Sequence, residues 1–274
     1  MSLGCDVSVM IYRRMIGFRS NNRDEMEMDK RIKLALAAIF LASIACTAPF
    51  GFTFGNGGPI TRGSGNEITV SPEVSGFDSL DIGHSFEVDI IQSQTYSLVV
   101  TVDDNIEQYL VIDDSGGTLT LNLDDNRSYT NVTLRAQISM PKLSALELSG
   151  ASRAEFTQFA SSDPFDLRVS GASEAKGDIE AGDVTIKVSG ASEVHLNGEG
   201  QDLLLEVSGA SHVDLGEFTV DDATLDLSGA SEATVNVSGI LNVDASGASG
   251  VTYFGSPKLG DIETSGASSI NSGN

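Results

Sequence analysis

The tetrapeptide Ser-Gly-Ala-Ser occurs seven times in the chain, starting at Ser149, Ser170, Ser189, Ser208, Ser228, Ser246 and Ser265. Successive copies are 21, 19, 19, 20, 18 and 19 residues apart. A repeat of this length, with no helical spacing inside it, is the signature of a solenoid of β-strands. One unit of that size cannot bury an apolar face alone, so the units must stack.

The residues around each phrase support strands on both sides. Before it stands an apolar-charged-apolar triplet: Leu146-Glu147-Leu148, Leu167-Arg168-Val169, Ile186-Lys187-Val188, Leu205-Glu206-Val207 and Leu225-Asp226-Leu227. After it the alternation resumes, as in Glu193-Val194-His195-Leu196 and His212-Val213-Asp214-Leu215. Period two is a strand with one buried face. An unbroken strand through the consensus would run about 35 Å, too long for a coil that closes in one repeat, so a bend is expected within the phrase. Gly supplies the permissive backbone there, and Ala and Ser are small enough to stack at a corner. The expected fold is therefore all-β: a right-handed, single-stranded parallel β-helix with about 20 residues per coil and less regular N-terminal coils. The hand follows from the rule for parallel crossovers. Seven coils at the usual strand spacing give a column roughly 30 Å long.

Upstream, Lys30, Arg31 and Lys33 precede an apolar run from Leu34 to Ala45, directly followed by Cys46. Twelve residues are too few to span a bilayer and suit the core of an export signal. A cysteine at this place resembles the bacterial lipoprotein signal, which implies lipidation of Cys46. Ser43 stands where that signal usually carries Leu, so cleavage near Ala45 without acylation is the alternative. Residues 1–45 are read as a dispensable extension plus this signal, with Met28 as the expected start. Residues 46–66, rich in Gly, Pro and small polar side chains with Phe50, Phe52 and Phe54 interleaved, are read as a flexible tether. Residues 67–274 are the expected solenoid, irregular over 67–145 and regular over 146–274. The cysteines Cys5 and Cys46 both lie outside it, so no disulfide framework is expected.

Within the irregular part, strands are expected at Phe77 to Ile82, Ser85 to Ile91, Tyr96 to Val102, Thr118 to Leu123 and Val132 to Met140. Asp103-Asp104-Asn105, Asp113-Asp114-Ser115-Gly116-Gly117 and Asp124-Asp125-Asn126 read as turns between them. Ile106 to Leu110 reads as a brief helical turn. These strands are expected to form wider coils that begin the column and cover its end, with a separate β-sandwich as the alternative.

Val74-Ser75-Gly76-Phe77-Asp78-Ser79-Leu80-Asp81-Ile82, the later Ile138-Ser139-Met140-Pro141-Lys142-Leu143 and the serial phrases together resemble the bacterial family named putative autotransporter adhesin head GIN domain. The resemblance covers roughly Ile68 to Ile270. It implies a parallel β-helix-like fold behind an export signal, and it carries over no catalytic residues.

Stacking turns distant residues into neighbours. After the phrase, Glu193 should lie against His212 and His195 against Asp214, a square of imidazoles and carboxylates. That is metal-ligand chemistry, but exposed cross-strand charge pairs are the commoner outcome, so no metal or cofactor is expected. Before the phrase, Glu206, Asp226, Asp244 and Glu263 should form an acidic ladder about 14 Å long that splays into water, with relief by a cation such as calcium as the alternative. Arg153 and Arg168 with Glu147 and Glu155 are the candidate groups for the enzymatic alternative, a polysaccharide lyase or hydrolase. The outer Ser and Ala rows offer an ice- or surface-binding face as a lesser alternative. A net charge of −23 argues against nucleic acid and against an anionic bilayer. Carbohydrate or protein outside the cell is the expected partner, with the membrane reached only through a lipid anchor. The last phrase lies close to Asn274 with no evident cap, which predicts weak end-to-end self-association.

Overall fold

The computed structural model describes residues 58–273; the expected export signal, Cys46 and residues 46–57 of the expected tether lie outside them. The chain forms a β-solenoid of about 6 turns with roughly 20 residues per turn. Among the described residues its strands make two large sheets, of ten and eleven strands, and one two-stranded sheet. In the repeat, every turn gives one strand to each sheet and every pairing is parallel, as for Val184–Val188 with Leu203–Val207 and Glu193–Glu199 with His212–Val220.

The alternation in sequence explains the packing. Leu203, Leu205 and Val207 are buried while Leu204 between them is exposed. Inward rows from the two sheets, such as Ile186, Leu205 and Leu225 on one and Val194, Val213 and Ala233 on the other, meet in a single core. Each fully buried Leu or Val contributes about 1.5–3 kcal/mol by leaving water. The bend falls inside the phrase, because each Ser-Gly-Ala-Ser joins a strand of the ten-stranded sheet to one of the eleven-stranded sheet.

The N-terminal part builds on the same two sheets but departs from chain order. The coil formed by Ser79–Ile82 and Glu87–Gln92 sits between the coil of Thr118–Leu123 and Leu134–Met140 and the first repeat coil, Ala145–Leu148 and Arg153–Ala160. Between these two coils in sequence, Ser97–Asp103 runs antiparallel to Leu134–Met140, and Leu110–Asp113 runs antiparallel to Thr118–Leu123. The irregular coils that begin the column therefore do not stack in chain order. Alternation marks a strand's buried face but not its neighbour or its direction. The reversed layer covers the end of the core with Val100, Val102 and Ile106, all fully buried.

Residues 58–66, expected as part of the tether, are built into the fold. Ile60–Arg62 pairs in parallel with Ser128–Thr130, and Glu67–Val70 pairs antiparallel with Ser97–Asp103. Between them the Gly65 N–H donates to Asp103 Oδ1 at 2.6 Å. Residues 58–66 therefore belong to the folded body.

Candidate functional site

The corner phrase determines what the solenoid can present outside. Its second residue has positive φ in every copy, from Gly150 at 78° to Gly266 at 73°. Its fourth residue points inward: Ser152, Ser173, Ser192, Ser211, Ser231 and Ser249 are each at most 2% exposed. Those hydroxyls donate to the carbonyl three residues earlier, as Ser192 Oγ does to Ser189 at 2.9 Å and Ser249 Oγ to Ser246 at 2.7 Å. A buried polar row is thereby satisfied within each coil. The backbone ladder continues from corner to corner, with Ala191 N–H to the Gly171 carbonyl and Ala210 N–H to the Gly190 carbonyl, both at 2.8 Å.

The phrase's first serine shares the outer face of the preceding strand with the residue two before it, since side chains alternate. The consequence is an open groove of about 340 Å³ along the edge of the ten-stranded sheet. One wall is Glu147, Arg168, Lys187, Glu206 and Asp226; the other is the serine row from Ser170 to Ser228. It crosses five coils, about 19 Å at the usual strand spacing. At its middle Lys187 Nζ meets Glu206 at 2.8 Å. Arg168 is held by Asp166 on its own strand, Nε to Oδ1 at 3.1 Å and Nη2 to Oδ2 at 3.0 Å, and this carboxylate raises the guanidinium pKa. The charged row also extends one coil further than the phrase does: Glu147 stacks on Asp81, whose carboxyl is pushed up by burial. The triplet Leu80-Asp81-Ile82 is the sequence signal for that member.

Towards the C-terminus the row continues as Glu206, Asp226, Asp244 and Glu263 in register. Asp226, Asp244 and Glu263 are exposed, and no ion pair among the described residues engages them. On the other sheet, register places Glu193 beside His212 and His195 beside Asp214. The expected square does not close. His195 Nδ1 lies 3.3 Å from Asp214 Oδ2, but His212 Nδ1 turns to Glu232 Oε2 at 3.6 Å and leaves Glu193 aside. Each outward residue has a neighbour both above and below, and register alone does not choose between them. Among the described residues no group of three or more His, Cys, Asp or Glu is arranged to hold a metal ion.

The groups considered for polysaccharide chemistry are divided between the sheets. Arg153 and Glu155 stand on Arg153–Ala160 of the eleven-stranded sheet, whereas Glu147 and Arg168 stand on the ten-stranded one. Arg153 Nε donates to Glu174 Oε2 at 2.7 Å, and Lys176 also binds that carboxylate. Those contacts, Lys176 first and then Arg153, hold Glu174 below the usual carboxylate range.

Fold and groove together define a parallel β-solenoid with a long, regular, charged outer face. The chain belongs to the family described as putative auto-transporter adhesin, head GIN domain, whose model matches residues 76–257. Similar solved structures include a putative adhesin from Bacteroides fragilis NCTC 9343, 20% identical, covering 77% of this chain and 99% of its own, with a TM-score of 0.73. A putative lipid binding protein from Parabacteroides distasonis ATCC 8503 is 19% identical over 78% of this chain and 100% of its own, with a TM-score of 0.65. A putative adhesin from Parabacteroides merdae ATCC 43184 is 14% identical over 79% and 100%, with a TM-score of 0.61. At such identities the likeness is one of fold. The comparison with curated proteins returned no match.

Proposed function

We propose that this protein is an exported, envelope-anchored, non-catalytic binding module of adhesin type, and that its groove holds an extended carbohydrate or protein chain. The observation that carries the reading is the groove itself, in which a charged row of five coils runs beside a hydroxyl row of four. Repeating donors and acceptors at strand spacing suit a polymer that lies along the column. The acidic surface disfavours polyanions and leaves neutral glycans or protein segments as partners. Division of Arg153 and Arg168 between two sheets supports binding over lyase or hydrolase chemistry. Export and anchoring rest on the basic-apolar-cysteine run ending at Cys46.

The test is a glycan array and an extracellular-protein pull-down with the wild-type chain and with R168A/K187A. Retention by the wild type, reduced about tenfold in the variant, supports the groove, because each lost charge-assisted contact is worth about 1 kcal/mol or more. Absence of binding above background, or equal binding by both proteins, overturns it. Release of unsaturated sugars from uronate polymers, abolished by R153A or R168A, would establish the enzyme instead. Mass spectrometry of the mature N-terminus tests acylation of Cys46 directly.

A further inference from the structure

The two ends of the solenoid differ. At the N-terminal end reversed strands cover the core, whereas the ten-stranded sheet finishes at the other end with Lys258–Thr264, exposed at all seven positions. Leu259 and Ile262 continue the inward rows of Leu241 and Val243, yet they are 48% and 38% exposed while Leu241 and Val243 are buried. Lys258 and Glu263 continue the outward rows of Ile240 and Asp244. Two residues in the middle, Gly260 and Asp261, oppose the single Asn242, whose Oδ1 accepts the Asp261 N–H at 3.0 Å. This bulge restores the alternation, so that Leu259 and Ile262 face inward although they are three apart.

The backbone follows the same pattern. Lys258 N–H donates to the Gly239 carbonyl at 2.7 Å and Ser265 N–H to the Ala245 carbonyl at 2.9 Å. By alternation from these two bonds, Lys258 and Glu263 turn their backbone groups into the sheet, and Leu259 and Ile262 turn theirs to the open edge. Read backwards, the strand is its own complement. Outward Lys258 meets outward Glu263, inward Leu259 meets inward Ile262 as a hydrogen-bonded pair, and bulge meets bulge.

We infer that Lys258–Thr264 is a docking edge for a second copy of this chain, paired antiparallel across a two-fold axis in the register Lys258 to Glu263. A two-fold perpendicular to the column keeps each sheet in line with its mate and makes the contact self-complementary. Charge selects the occupant. Asp226, Asp244 and Glu263 form an acidic run, and Lys258 makes no ion pair among the described residues; the second copy brings its Lys258 to the end of that run. Leu259 and Ile262 leave water in the same step. Pro257 ends the ladder, since it has no N–H to give. Repulsion between two strongly acidic chains keeps the association weak.

Sedimentation velocity on the full-length chain in detergent, over a wide concentration range, tests this. The expected result is a monomer–dimer equilibrium without higher oligomers. Reversing one partner, as K258E or E263K, places like charges opposite each other twice per dimer and is expected to weaken dimerisation about tenfold. The double exchange K258E/E263K restores opposite charges in this register only and is expected to return the dimer to near its original affinity. Both positions changed, Lys258 and Glu263, are exposed and face each other across the two-fold axis, so circular dichroism should be the same for every variant. A monomer at every concentration overturns the proposal, and so does a dimer that ignores the single reversals or is not rescued by the double exchange.

Discussion

Gly190 lies directly on Gly171: a β-carbon built on Gly190 would stand 2.3 Å from the Gly171 carbonyl oxygen, and its φ is +83°. Both the left-handed backbone and the close approach of successive corners require the absence of a side chain. The substitution G190A should therefore destabilise the solenoid by about 2–4 kcal/mol, from left-handed strain plus overpacking. Urea denaturation measures the loss, and an unchanged midpoint would show that the corners can spread.

The two serines of one phrase should respond differently. Ser192 is buried and donates to the Ser189 carbonyl, so S192A loses a buried hydrogen bond and should cost about 1–2 kcal/mol. Ser189 is partly exposed on the groove wall, and S189A should stay within about 0.5 kcal/mol of wild type. Equal losses at the two positions would contradict the inward role of the fourth residue.

Asp103 is 1% exposed, with Oδ1 accepting from Gly65 N–H at 2.6 Å and Oδ2 from Thr133 N–H at 2.7 Å. D103A leaves two backbone donors without their acceptor where the N-terminal strands join. A loss of about 2–4 kcal/mol is expected, with faster hydrogen exchange over 60–70 and 128–134. Exchange that stays unchanged there would remove Asp103 from this role.

Acid should weaken the Glu174 cluster. Lys176 and then Arg153 lower this carboxyl in the folded chain, so its contribution is full above the unfolded-state value and vanishes as pH falls through the lowered folded value. Asp81 acts with the opposite sign: burial raises its carboxyl, and protonation relieves the fold. The stability difference between wild type and E174Q, followed by denaturation against pH, should shrink below the ordinary carboxylate range. A difference independent of pH would sink the assignment.

Much of this architecture was legible before any coordinates. Alternation in Leu205-Glu206-Val207 names the buried face, the phrase spacing sets the coil, and together they place Glu206 on Asp226 and His195 on Asp214. The groove could be read as well, since Ser208 stands two residues after Glu206, directly beyond the end of its strand. Three things could not. Asp103 reads as a turn residue among Asp104 and Asn105, because sequence does not reveal that Gly65 and Thr133 converge on it. His212 has Glu193 on one side and Glu232 on the other, and rotamer and local packing decide between them.

The third is the order of the first coils. A repeat twenty residues long determines by itself that strands must stack and which side chains go inward, because no single coil can bury its own apolar row. Only the tertiary structure decided that Ser79–Ile82 lies between Thr118–Leu123 and Ala145–Leu148, and that reversed strands close that end. Strand neighbours and directions there depend on long-range backbone pairing, to which an alternating pattern is indifferent.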